Sequence, residues 1–102
     1  MYKSNVEELK IKAGTIIKLH RLRKGMSQFQ LAIEVGLSKD YIGLIERGKC
    51  NPTIEIFAKI CNFLDMDIIE LFIKRNDVEF IVVHDEVKKL EKEFKNQNKR
   101  KS

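Results

Sequence analysis

Residues 27–48 read SQFQLAIEVGLSKDYIGLIERG, a pattern of two short amphipathic helices joined by a glycine. Ser27 caps the first, because a hydroxyl before a helical segment accepts a backbone N–H that otherwise lacks a partner. Leu31 and Val35 follow four residues apart on one face, with Ala32 beside them. Gly36 closes this helix, since a left-handed turn costs glycine little. Ser38 caps a second helix that runs to Arg47 and turns Ile42 and Ile45 inward. Ala32 is small where the two helices must approach, and Leu37 and Ile42 plug the space between them. The opposite side of the second helix carries Lys39, Asp40, Gly43 and Arg47, at relative positions i, i+1, i+4 and i+8.

Working outward, residues 12–24 (KAGTIIKLHRLRK) place Ile16, Leu19 and Leu22 at helical spacing and turn Lys18, Arg21 and Lys24 outward, ending at Gly25. Downstream, Pro52 suits the first turn of a fourth helix, or Thr53 caps it. That helix runs to about Leu64 with Ile56, Ile60 and Phe63 along its stripe. Asp65 or Asp67 starts a fifth, short helix, DIIELFIK, burying Ile68, Leu71 and Phe72. In the remainder, VEFIVV (residues 78–83) is β-branched enough for a short strand. Against that, Val83, Val87, Leu90 and Phe94 recur at spacings of 4, 3 and 4, a helical seam. A helix over about 82–96 is the preferred reading, followed by a polar, basic and frayed end. These elements give an all-α fold: an arm (1–11), a compact five-helix domain (12–75) and a C-terminal extension (76–102).

The residues Ser27-Gln28, Leu31-Ala32, Gly36-Leu37-Ser38, Tyr41-Ile42, Ile45-Glu46-Arg47-Gly48 and Asn51-Pro52 together resemble the phage-repressor (Cro-like, XRE) helix-turn-helix family. The resemblance spans about residues 12–73. The chain is also similar to the controller proteins of restriction–modification systems. The resemblance implies a lambda-repressor-like DNA-binding domain with residues 38–47 as the recognition helix in the major groove. It implies that Gln28 and Arg47 contact phosphates and that Lys39, Asp40 and Gly43 face the bases.

Elementary chemistry fits those roles. Gln28 opens a helix whose free N–H groups can share a phosphate with its amide. Lys39 can donate to guanine O6 and N7, and Asp40 can accept from cytosine N4. Asp40 also complements the helix dipole, which alone accounts for an acid there. Gly43 sacrifices about 1 kcal/mol of helix propensity relative to alanine, which clearance for a base or phosphate would explain. Tyr41 reaches a phosphate or a thymine methyl, or lies half-buried between helices. Arg23, Lys24 and Lys49 are further phosphate candidates, the first two also completing the dipole of the first helix. Arg47 has an alternative in a salt bridge with Glu46 or Glu34.

Charge is unevenly spread over the 102 residues. Residues 1–49 carry a net +5, residues 50–87 a net −5 and residues 88–102 a net +5. A polyanion facing one side only is the expectation. Two cysteines, Cys50 and Cys61, are too few for a disulfide framework and lack zinc-type spacing. His20 and His84 stand alone, so no metal or cofactor is expected, nor is an enzyme. No apolar run approaches the roughly 20 residues of a membrane span, and the N-terminus lacks the apolar core of a signal peptide; a cytoplasmic protein is expected. One recognition helix contacts few bases, so a homodimer on an inverted-repeat operator follows. Its interface candidates are Phe63, Ile68 and Phe72 together with the seam Val83, Val87, Leu90 and Phe94, unless the seam folds back on its own core. The alternative function is an antitoxin or adaptor whose C-terminal segment binds another protein.

Overall fold

The computed structural model describes the backbone of residues 4–101 and the side chains of residues 4–97. Helix α1 spans Val6–Arg23, α2 Gln28–Val35, α3 Lys39–Glu46, α4 Ile54–Phe63 and α5 Asp77–Lys101, with a 3-10 turn at Ile68–Leu71. Each start has its own chemical cause. Asn5, Ser27, Ser38 and Thr53 accept a backbone N–H from the third residue beyond, at 3.0–3.1 Å. At α2 the cap is reciprocal, because the Gln30 carbonyl oxygen accepts the Ser27 N–H.

Helix α1 begins six residues before the position its apolar pattern suggests. Val6, Leu9 and Ile11 are exposed, so its first turns carry no inward stripe to announce them. They are held instead by the Asn5 cap, by Glu7 and Glu8 near the N-terminus, and by ion pairs Lys10–Glu7 and Lys12–Glu8. Most of the segment read as an arm is therefore helix; Met1–Lys3 lie outside the described residues.

The expected fifth helix contracts to the 3-10 turn Ile68–Leu71, started by the Asp67 side chain accepting the Ile69 N–H at 3.0 Å. Leu71 is fully buried there and Ile68 half-buried, while Ile69, Phe72 and Ile73 stay exposed. The stripe Ile68, Leu71 and Phe72 is covered only over its first turn, so packing does not extend the helix. The segment VEFIVV is helical, and no strand occurs among the described residues. A lone strand there would leave its backbone groups unpaired, whereas in α5 Phe80, Val83 and Val87 pack inward. The backbone of α5 stays helical through Lys101, where fraying was expected; Ser102 lies outside the described residues.

The main core joins Ile16 and Ile17 of α1, Leu31 and Val35 of α2, Ile42 and Ile45 of α3, Phe57, Ile60 and Cys61 of α4, then Leu71 and Phe80. Burial pushes the Cys61 thiol up to about 11, consistent with a reduced core residue. A second cluster unites Leu19 and Leu22 of α1 with Val87, flanked by Val83, Leu90 and Phe94. The seam therefore folds back onto α1. Val87 is buried in this intrachain contact and Val83, Leu90 and Phe94 are half-buried against it, the alternative in which the seam packs on its own core. Among the described residues no helix is long and apolar enough to cross a membrane.

Candidate nucleic-acid interface

The surface formed by α2 and α3 is rigid for reasons that can be followed residue by residue. Gly36 turns at φ 69°, and the Leu37 N–H reaches back to the Ala32 carbonyl at 2.9 Å. Leu31, Ala32 and Val35 then close on Ile42 and Ile45, all 3% exposed or less. From the other side α1 crosses α3 at Gly14. A Cβ there would press on the Ile45 carbonyl oxygen and lie 2.6 Å from that of Glu46, so only glycine lets the two backbones touch.

A buried polar network locks the end of α3. Arg21 and Glu46, each 5% exposed, form a bidentate pair with Nε donating to Oε2 at 2.7 Å and Nη2 to Oε1 at 3.0 Å. Arg21 Nη1 also donates to the Met26 carbonyl at 2.7 Å, and Gln28 Nε2 donates to Glu46 Oε1 at 3.0 Å. One guanidinium thus ties the end of α1, the turn before α2 and the end of α3 together. The outward placement of Arg21 was an error of sequence reading. Arg21 stands four residues after Ile17 and Glu46 four after Ile42, so both lie on inward stripes. The pairing of Glu46 with Arg47 fails for the same reason.

On the outer side, Gln28, Lys39, Asp40, Gly43, Leu44 and Arg47 line one shallow concavity. Four of the expected side chains and Gly43 are thus brought together. Leu44 was missed, although it lies four residues beyond Asp40 on the same side. Lys39, Asp40 and Arg47 are exposed, and among the described residues none has an oppositely charged partner within 4 Å. The concavity therefore offers two cationic donor groups, one carboxylate acceptor and one apolar methyl surface.

Three expectations change. The space at Gly43 is taken by the protein itself: a Cβ there would sit 3.0 Å from Arg47 Nη1, so the missing side chain lets the guanidinium fold across the helix. Tyr41 turns away from the concavity and lies half-buried against the core beside Cys50, which is half-buried too. Partial burial, with Cys50 as neighbour, raises the Tyr41 phenol above its ordinary value. Arg23 is engaged by Glu86 of α5, with Nε and Nη2 donating at 2.7 and 2.8 Å. That bidentate contact raises the Arg23 pKa and lowers that of Glu86. Gln28 keeps its position at the head of α2, but its amide is already bonded to Glu46. Lys24 and Lys49 are exposed on the turns after α1 and α3.

Several known proteins are similar to this chain in sequence or in fold. SlrR of Bacillus subtilis (strain 168), an HTH-type transcriptional regulator, is 47% identical over 60 residues, covering 58% of this chain and 40% of SlrR. SinR of the same organism, also an HTH-type transcriptional regulator, is 34% identical over 68 residues, covering 66% of this chain and 61% of SinR. The chain thus spans less than two thirds of either relative. Among solved structures, the restriction-modification controller protein C.AhdI from Aeromonas hydrophila superposes with a TM-score of 0.59 at 36% identity, covering 63% of this chain and 96% of that one. The clp gene regulator ClgR from Corynebacterium glutamicum superposes with a TM-score of 0.61 at 26% identity, over 64% of this chain and 69% of that one. The helix-turn-helix family model matches residues 17–71, a span that takes in the capped α2, the Gly36 turn, the buried Arg21–Glu46 lock and the concave face of α3, and the chain accordingly belongs to the helix-turn-helix family.

Proposed function

We propose that the protein is a sequence-specific DNA-binding transcriptional regulator that places α3 in the major groove of duplex DNA. The observation that carries this reading is the concave face of α3. Lys39 and Arg47 stand there unpaired beside Asp40 and Leu44, on a helix whose other face is locked into the core. Lys39 is assigned to a guanine edge, Leu44 to a thymine methyl and Arg47, Lys49 and Lys24 to phosphates. Gln28 contributes its second amide hydrogen and the N–H groups at the head of α2 to a phosphate. Asp40 is assigned to a cytosine amino group, and it serves the helix dipole as well. The regulators SlrR and SinR among the relatives support the transcriptional part of the reading, and a DNA partner implies a cytoplasmic location.

The protein acts as a homodimer on an inverted repeat, because one short helix reads too few bases to specify a site. With the seam packed on α1, the surface that supports dimerisation is the opposite side of α5. Val78, Ile81 and Val82 recur there at i, i+3 and i+4 and are 58–71% exposed. Phe72 is exposed nearby in sequence, and Phe63 and Ile68 are half-buried. Sedimentation of wild type and Ile81→Glu is the check: a dimer that the substitution converts to monomer is expected, and a monomeric wild type overturns this part.

Selection of bound sequences from random duplexes tests the DNA reading. An enriched inverted repeat with half-sites about 34 Å apart is expected. Lys39→Ala is expected to relax one base pair per half-site at a cost of about 1–3 kcal/mol. A wild-type protein that enriches nothing over bulk DNA sinks the proposal.

A further inference from the structure

The far half of α5 carries positive charge that the α3 face does not account for. Glu91, Phe94 and Lys95 of α5 border a groove whose other wall includes Ser27, Gln28 and Lys39. Gln28 and Lys39 also line the α3 concavity, so the two depressions adjoin and α5 runs past the N-terminal ends of α2 and α3. The seam of Val87, Leu90 and Phe94 on Leu19 and Leu22 fixes it there.

The acids of α5 that face α1 are already neutralised. Glu91 pairs with Lys18 at 3.2 Å, and Glu86 is held by Arg23 at 2.7 Å. Lys88, Lys92 and Lys95, spaced four and three apart, share one side of the helix and are exposed. Among the described residues none of the three has an acidic partner within 4 Å. They span about 10 Å of helix axis, the rise over which one DNA strand places about three phosphates. Of the three, Lys95 lines the groove beside Lys39 and the head of α2, and Lys92 and Lys88 continue its side of the helix toward the start of α5. A solvated surface explains the charge but not the place of Lys95.

We propose that Lys88, Lys92 and Lys95 form a second, sequence-independent DNA contact that grips the phosphate backbone next to the groove entered by α3. The inference rests on the reading of α3 as the groove-entering helix, and its test separates the two. The full chain is titrated with bulk duplex and with the selected duplex between about 50 and 200 mM salt. The triple variant Lys88→Gln, Lys92→Gln, Lys95→Gln is expected to lower the slope of log affinity against log salt by about 2–3 on both duplexes. Affinity at 100 mM salt is expected to fall about tenfold or more, with the selected sequence unchanged. The matching triple Lys→Arg variant keeps the slope, and circular dichroism shows whether the helices survive. An unaltered slope on bulk duplex, or a gain in affinity from removing an obstruction, overturns the proposal. Loss of sequence preference in the wild type would overturn the α3 reading instead, and the bulk-duplex slope still decides the role of α5.

Discussion

Glu46 accepts three hydrogen bonds, two from Arg21 and one from Gln28, where water scarcely reaches. Removing either charge leaves the other buried without compensation. Arg21→Ala or Glu46→Ala is therefore expected to cost about 3–5 kcal/mol in urea unfolding. The double change Arg21→Met, Glu46→Leu should recover most of that, because it removes both desolvation penalties together. The glycines of α1 and α3 separate in the same way. Gly14→Ala drives a methyl into the backbone of α3 and is expected to lower stability and DNA affinity together. Gly43→Ala meets only the end of the flexible Arg47 side chain. It is expected to hold or raise stability by up to about 1 kcal/mol, while the displaced guanidinium weakens DNA binding. If Gly43→Ala binds as wild type does, Arg47 does not depend on that clearance.

At the scale of elements, the α2–α3 unit depends on two local devices, the left-handed turn at Gly36 and the Ser38 cap. Gly36→Ala forces an L side chain to φ 69° and is expected to cost about 1–2 kcal/mol. Ser38→Ala frees the Tyr41 N–H and is expected to cost about 1 kcal/mol. Thermal melts that show no loss for either variant would mean that tertiary packing alone sets the angle between the helices. These devices are readable in the sequence because caps and turns are local chemistry. The first turns of α1, the contraction to a 3-10 turn and the helical state of VEFIVV are not local. Each depends on whether a neighbouring element offers something to pack against, which composition and periodicity do not show.

At the scale of the molecule, His20 joins α1 to the turn after α4. Its Nε2 lies 3.3 Å from Glu70, which favours the imidazolium, yet burial together with Arg23 outweighs Glu70 and Glu86 and lowers the pKa below 6.5. The unfolded chain therefore binds more protons as pH falls through that region. Stability is complete above the unfolded value and declines as pH drops through the lowered one. His20→Gln is expected to flatten stability against pH between about 7 and 5; an unchanged profile would place the acid sensitivity elsewhere. Periodicity, caps and turn residues determined the all-α class, the helix-turn-helix unit and the outward set Lys39, Asp40, Gly43 and Arg47, since each follows from spacing and turn chemistry among residues near in sequence. Only the tertiary structure decided that Arg21 and Glu46 meet in the core, that Gly14 lets α1 touch α3, that Tyr41 turns away, and that the α5 seam closes on Leu19 and Leu22. The reason is distance along the chain: 25 residues separate Arg21 from Glu46, and a helical stripe states that a face must be buried without naming the surface that will bury it.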